Sequence, residues 1–127
     1  MKNRLWFALP VVAAAILVIP FPALAHHGAA GYDMDTPVIM KVTILEFEWG
    51  NPHGQIHFDV TDDKGNVVHW ISECGPPVPM TEAGWTRKTL KPGDMVTLEL
   101  RVAKNGSPRA ILRKAILANG QELMNRG

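Results

Sequence analysis

Residues 38–49 read VIMKVTILEFEW, and this stretch decides the fold. Its β-branched and aromatic side chains are typical of a strand. The apolar positions alternate along one face as far as Ile44, and the alternation then moves to the opposite parity at Leu45, Phe47 and Trp49. A change of parity inside one strand is typical of a β-bulge or a sharp bend. We therefore predict a long first strand that bends at Ile44-Leu45.

The chain beyond this strand carries four more strand patterns. They lie at residues 56–60, from Val68 to the prolines that begin at Pro76, at 96–102 and at 109–117, and a short polar tail follows the last of them. Val68 is predicted to face inward. A short helix is predicted within residues 79–84, and Trp85 after it supplies an aromatic plug for an open end of the core. The order of three strands, a helix and two strands predicts an all-β, five-stranded Greek-key barrel of the OB type. The alternative is a β-sandwich, which requires about seven strands.

The first 25 residues have the three parts of an export signal. Lys2 and Arg4 precede an apolar run over residues 5–21, and Ala23-Leu24-Ala25 forms a cleavage site. We expect cleavage before His26 and a periplasmic protein. The alternative, an uncleaved anchor, conflicts with the prolines that interrupt the run.

Cleavage would leave 102 residues, enough for one hydrophobic core. The predicted organisation is a signal at 1–25, an irregular lead-in segment at 26–37 and a single barrel domain at 38–127. The remaining 11 basic and 12 acidic side chains argue against nucleic acid as a partner. The processed chain should have no stable membrane insertion, and its partner should be a protein or a small molecule.

The predicted new N-terminus offers a metal site. His26 would present an α-amine and an imidazole that chelate one ion, and His27 or His53 would add a third nitrogen. Copper(II) favours nitrogen donors in tetragonal geometry, so copper is the expected cofactor, if any. Cleavage one residue earlier would make His27 the third residue of the processed chain. A histidine in the third position is typical of N-termini that chelate copper(II) or nickel(II). The alternatives are a flexible polar end and a His53 that hydrogen-bonds its own turn.

Other candidate metal ligands fit less well. His57 and His69 have outward parity on neighbouring strands, where they could form a surface zinc site or a polar face with Asp59. Cys74 is the only cysteine, so no internal disulfide can form. No histidine lies between Cys74 and Met80, as a blue-copper site requires, which favours a buried thiol at the end of a strand.

The turn after the first strand is the candidate ligand-binding site. Trp49, Asn51 and Pro52 are predicted to contact a ligand there, near the last hairpin loop at residues 104–108. Acidic side chains, Glu73 among them, are available for acid–base chemistry, but no nucleophile and base occur at a diagnostic spacing. The sequence therefore gives no positive argument for an enzyme.

Four motifs occur together in this chain: His26-His27-Gly28, the run EFEWGNPH at residues 46–53, GWTR at 84–87 and LKPGD at 90–94. In this combination the chain resembles a family of small secreted bacterial proteins of unknown function. Members commonly have His-His-Ser where this chain has His-His-Gly, and Cys74 is not part of the pattern. The resemblance implies periplasmic residence and one β-barrel-like domain, with no established activity.

We therefore expect a periplasmic, non-catalytic binding module that holds copper or another transition metal through its N-terminus and His53. The first alternative is a metal-independent OB-like interaction module for a protein or a small ligand. The second is a copper-dependent oxidative enzyme.

Overall fold

The structure, a computed structural model, describes residues 28–127. Both the predicted signal and the histidine pair His26-His27 lie outside the described residues. The elements follow in the order β1 (Val38–Glu48), β2 (Gly54–Thr61), β3 (Val67–Cys74), α1 (Pro77–Glu82), β4 (Met95–Val102), β5 (Arg109–Ile116) and β6 (Glu122–Met124). A 3₁₀ turn at Ala29–Gly31 precedes them.

The bend predicted in the first strand is confirmed. The antiparallel register of β1 with β2 shifts between Ile44 and Glu46. The intervening Leu45 is the extra residue, and it is 40% exposed rather than on the inner face as predicted. A bulge residue is unpaired and turns away from the regular alternation, so the buried positions resume at Phe47. The bend lets β1 pair with β2 along one half and with β4 along the other.

The strands close into the predicted barrel. Antiparallel pairs run in the order β3-β2-β1-β4-β5, and a parallel pair between β3 and β5 joins the two ends. This closure is the five-stranded Greek-key arrangement of the OB type, which leaves β3 and β5 without a free edge. The sandwich alternative is therefore wrong for the described chain.

The barrel interior holds one core. Its largest fully buried side chains are Trp85, Phe58, Ile44, Ile56 and Met80, together with Leu98, Leu100 and Leu112. They come from β1, β2, β4 and β5, from α1 and from the segment after α1, and β3 adds the fully buried Ser72. Burial at alternate positions is what the geometry of a strand requires.

The helix begins two residues earlier than predicted, because both Pro77 and Pro79 fit its first turn. Backbone N–H groups in the first turn make no hydrogen bond within the helix, so a proline there costs nothing. Trp85 follows it and is fully buried. Its ring lies 5.9 Å from that of Phe47 between centroids, and its Nε1 donates to the carbonyl of Met124 at 2.9 Å. The prediction that Trp85 lies inside the core is confirmed.

Two further predictions are wrong. Val68 was expected on the inner face, but it is 48% exposed because the β2–β3 hairpin extends past the end of the core. The polar tail predicted after residue 117 instead forms β6, which pairs with β5 and buries Leu123. A three-residue strand with one buried side chain gives too short an alternation to be recognised in a sequence.

Candidate functional site

The lead-in segment folds back onto the barrel. Asp33 N–H donates to the carbonyl of Val102 at 2.9 Å, and Lys104 N–H donates to the carbonyl of Gly31 at 2.9 Å. Tyr32 forms the β-bridge between these two bonds with Ala103. This pairing fixes the segment across the end of β4 and the loop that follows it.

A cavity of about 610 Å³ lies beside this segment. We call it the lead-in cavity. Its walls come from the lead-in segment, the β1–β2 turn, the end of β3, the outer faces of β4 and β5, and the last residues of the chain. The lining residues are Gly28, Ala29, Tyr32, Met34, His53, Glu73, Cys74, Gly75, Arg101, Ile111, Asn125 and Gly127.

The floor of the lead-in cavity is a row of three outward-facing residues. Arg101 of β4 is paired with Ile111 of β5, and Ile111 is in turn paired with Glu73 of β3. Paired residues on adjacent strands project from the same face of a sheet. Two strand spacings separate the outer members, which places their Cα atoms about 10 Å apart. A cation and an anion therefore flank an apolar centre.

Arg101 has an unusual environment. Its Nε is buried and has no hydrogen-bond partner, and within residues 28–127 it is the only buried side-chain nitrogen or oxygen in that state. Glu99, the neighbouring outward residue on β4, is instead paired with Arg113 and Lys114. No ion pair found between described residues involves Arg101.

The wall opposite the lead-in segment depends on Gly75. Its N–H donates to Oδ1 of Asn125 at 2.8 Å. A Cβ placed on Gly75 would lie 1.7 Å from the carbonyl oxygen of Arg126, so no other residue allows this approach of the last residues.

The Cys74 thiol is buried at the end of β3, as predicted. Burial raises its pKa to about 12, and the charge of the neighbouring Glu73 adds to the shift. A thiol in this state is inert at neutral pH, because the thiolate is the reactive and metal-binding form.

The structure separates the predicted ligand-binding residues. His53 lines the lead-in cavity, whereas Trp49, Asn51 and Pro52 do not contribute to it. Trp49 is half-buried and packs edge-on against Phe47, with ring centroids 5.6 Å apart. Asn51 and Pro52 are exposed in the turn and are joined by a cis peptide bond.

The remaining histidines lie on the outer face of the β2–β3 hairpin. His57 Nε2 is 2.9 Å from Oε1 of Glu48, and His69 Nδ1 is 3.3 Å from Oδ1 of Asp59, the partner predicted for it. The two imidazoles are stacked, with centroids 5.7 Å apart. We call these four residues the outer-face set. Each imidazole in the set already has a carboxylate partner.

No group of three or more His, Cys, Asp or Glu side chains in the described part of the chain is arranged to hold a metal ion. The proposed zinc and blue-copper sites are therefore incomplete within residues 28–127. The set that includes His26 and His27 extends beyond these residues.

Sequence reasoning missed most of the lead-in cavity. Tyr32, Arg101 and Ile111 were not among the candidate site residues, and Glu73 was considered only as a general acid or base. Alternation along β4 does place Arg101 on the outside of the barrel. Nothing in the sequence indicates that the lead-in segment covers it there.

None of the helices formed by residues 28–127 is long and apolar enough to cross a membrane.

Comparison with known protein families gives a match over most of the chain. Residues 14–112 match the model of DUF6152, a family of unknown function. No curated protein and no solved structure matches the chain. Because the matched region covers most of the sequence, the chain belongs to the DUF6152 family.

Proposed function

We propose that this chain is an exported, periplasmic, non-catalytic binding module, and that its processed N-terminus binds copper(II) or another transition metal together with His53. One observation carries the proposal. Gly28 and His53 line the same cavity, so the described chain begins at the cavity that holds the histidine the site requires. Two residues span at most about 7 Å, which keeps His26 within reach of this cavity.

The donor set suits copper. The α-amine and the imidazole of His26 would occupy two adjacent positions around the ion, and His53 or His27 would supply a third nitrogen. The lead-in segment is held to β4 and Lys104 by backbone hydrogen bonds on either side of Tyr32. An anchored segment loses less conformational entropy when it binds a metal than a free tail does.

Cys74 is left out of the proposed donor set although it lines the same cavity. Its thiol is buried, and a metal would first have to displace a proton from a group whose pKa is raised to about 12. His53 is instead exposed to solvent in the β1–β2 turn.

Copper titration of processed protein tests the proposal. The full-length chain is expressed in a bacterium, recovered from the periplasm, and its first residue is read by mass spectrometry. We expect a start at His26 and one tightly bound equivalent of Cu²⁺ in competition with a chromogenic chelator. Loss of a residue that only supports a metal ligand typically lowers metal affinity by roughly 10–100-fold. His53→Ala would remove a direct ligand, so it should weaken copper binding by more than that.

Two controls separate a built site from a chelating tail. His69→Ala removes an imidazole of the outer-face set and should leave copper affinity unchanged. A chain that retains Ala25 should bind copper with a different visible spectrum and without dependence on His53. If the protein that starts at His26 keeps its copper affinity in His53→Ala, the proposal is overturned. Turnover with peroxide or oxygen by the copper-loaded protein would overturn its non-catalytic part.

A further inference from the structure

We propose that the lead-in cavity is a binding site for a small organic carboxylate with an apolar body, and that Arg101 is its anchor. This inference deepens the proposed function, because it rests on the cavity being a binding site and names a ligand class for it. It does not require the metal.

The first argument is the state of the Arg101 side chain. A buried polar atom without a partner costs free energy, and a buried donor of a charged group costs more than a neutral one. The Nε of Arg101 is such an atom, and Arg101 is one of the residues that line the cavity. A guanidinium presents its donors in a planar fork that matches the two oxygens of a carboxylate.

The second argument is that the acidic side chains on the neighbouring strands either have other partners or are separated from Arg101. Glu99 pairs with Arg113 and Lys114 across β5. Glu73 lines the cavity too, but Ile111 lies between it and Arg101 in the sheet, and the two do not form an ion pair. The anion that would complete Arg101 therefore has to come from outside this row.

The third argument concerns the charge of the ligand. Arg101 supplies one positive charge, whereas Glu73 places a negative charge on the opposite side of the same floor. A second negative charge on the ligand would face Glu73 and be repelled. The arrangement therefore selects a monoanion over a dianion such as a phosphate monoester.

The fourth argument concerns the body of the ligand. Ile111 lies between the two charges, and Met34 and Tyr32 also line the cavity. A volume of about 610 Å³ lies within the range of small-molecule sites, which are mostly apolar with a few oriented polar groups. An aryl or alkyl group of moderate size fits this description.

Binding of three matched probes to metal-free, periplasm-purified protein tests the inference. Phenylacetate carries one negative charge, phenylacetamide has nearly the same shape without charge, and phenylmalonate carries two. Calorimetry or chemical-shift titration should show phenylacetate binding at least about tenfold more tightly than phenylacetamide. Phenylmalonate should bind more weakly than phenylacetate.

Variants locate the effect. Arg101→Met should abolish the preference for the acid over the amide, while Arg109→Met, at an exposed arginine outside the cavity, should leave it intact. Glu73→Gln should raise the affinity for phenylmalonate relative to phenylacetate. Thermal unfolding checks that the variants fold, and the comparison of acid with amide on the unaltered protein needs no variant.

Equal affinity for phenylacetate and phenylacetamide, or no binding of either probe, would overturn the inference. So would a preference for the acid that survives Arg101→Met. These outcomes are distinct from failure of the metal site, because copper affinity should respond to His53→Ala and not to Arg101→Met.

Discussion

The outer-face set and the lead-in cavity both gather charged and imidazole side chains on the same small barrel, but they leave them in opposite states. In the outer-face set each histidine has a carboxylate partner at hydrogen-bond distance, and both pairs are open to solvent. In the lead-in cavity Arg101 and Glu73 face a common space without pairing, and the Arg101 Nε is buried and unsatisfied. Polar groups that satisfy one another leave little for a ligand to gain, whereas unpaired, partly buried groups favour one.

The largest expected effect is on the stability of the hydrophobic core that supports both the outer-face set and the lead-in cavity. Trp85→Ala should lower the free energy of unfolding by about 4 kcal/mol, because it empties a fully buried site and removes a hydrogen bond to Met124. Urea denaturation followed by circular dichroism measures the change.

Trp70→Ala is the matched control. Trp70 is half-buried and stacks on Phe58 at 6.4 Å between centroids, so the loss should be smaller. Equal losses of unfolding free energy in the two variants would show that Trp85 contributes no more to the stability of the core than Trp70 does.

The next effect concerns the buried thiol at the cavity wall. In the folded, metal-free protein the pKa of Cys74 is raised to about 12 from an ordinary value of 9.0. The folded state therefore keeps its proton where the unfolded chain has lost it, and stability should fall as pH rises from 9.0 towards 12. Below pH 9.0 both states hold the proton, and Cys74 adds no pH dependence.

Unfolding measured against pH for the natural chain and for Cys74→Ala isolates this contribution, since other alkaline groups are common to both. The difference between the two curves should slope only in the alkaline range. Rapid alkylation of Cys74 in the folded protein at neutral pH would contradict the burial on which this expectation rests.

The smallest effect is expected in the outer-face set. A double-mutant cycle with Glu48→Gln and His57→Ala should give a coupling energy of at most about 1 kcal/mol, because the pair lies at the surface and is screened by solvent. The same substitutions should leave binding of copper and of phenylacetate unchanged. A loss of either ligand would mean that the paired face, and not the lead-in cavity, is the functional region.

Sequence patterns predicted the barrel well because its signals are local. Alternation in β2 and β4, the change of parity beside Leu45, and the LKPGD turn each depend on a few consecutive residues. In that turn the Asp94 N–H donates to the Lys91 carbonyl at 3.0 Å, and Gly93 has a φ of +89°. The errors lie where tertiary packing overrides alternation, at Leu45 and Val68, and where β6 is too short to have a pattern.

The candidate site was predicted only in part, because its residues come together through contacts between distant segments and not through local patterns. His53 was selected because it could supply a third nitrogen to a metal held by the N-terminus, but the surroundings that give it a cavity come from segments far apart in sequence. Arg101, Ile111 and Glu73 become neighbours only through strand pairing between β4, β5 and β3.

By itself the sequence determined an all-β chain with a bent first strand, a short proline-led helix, a buried tryptophan after it and a thiol without a disulfide partner. Those properties follow from side-chain periodicity and from the fixed geometry of proline and glycine, which act over a few residues. Only the tertiary structure decided that β6 pairs with β5, that the lead-in segment lies against β4, and that Arg101 is left without a partner within residues 28–127. Such features depend on which distant surfaces meet when the barrel closes, and no local pattern records that contact.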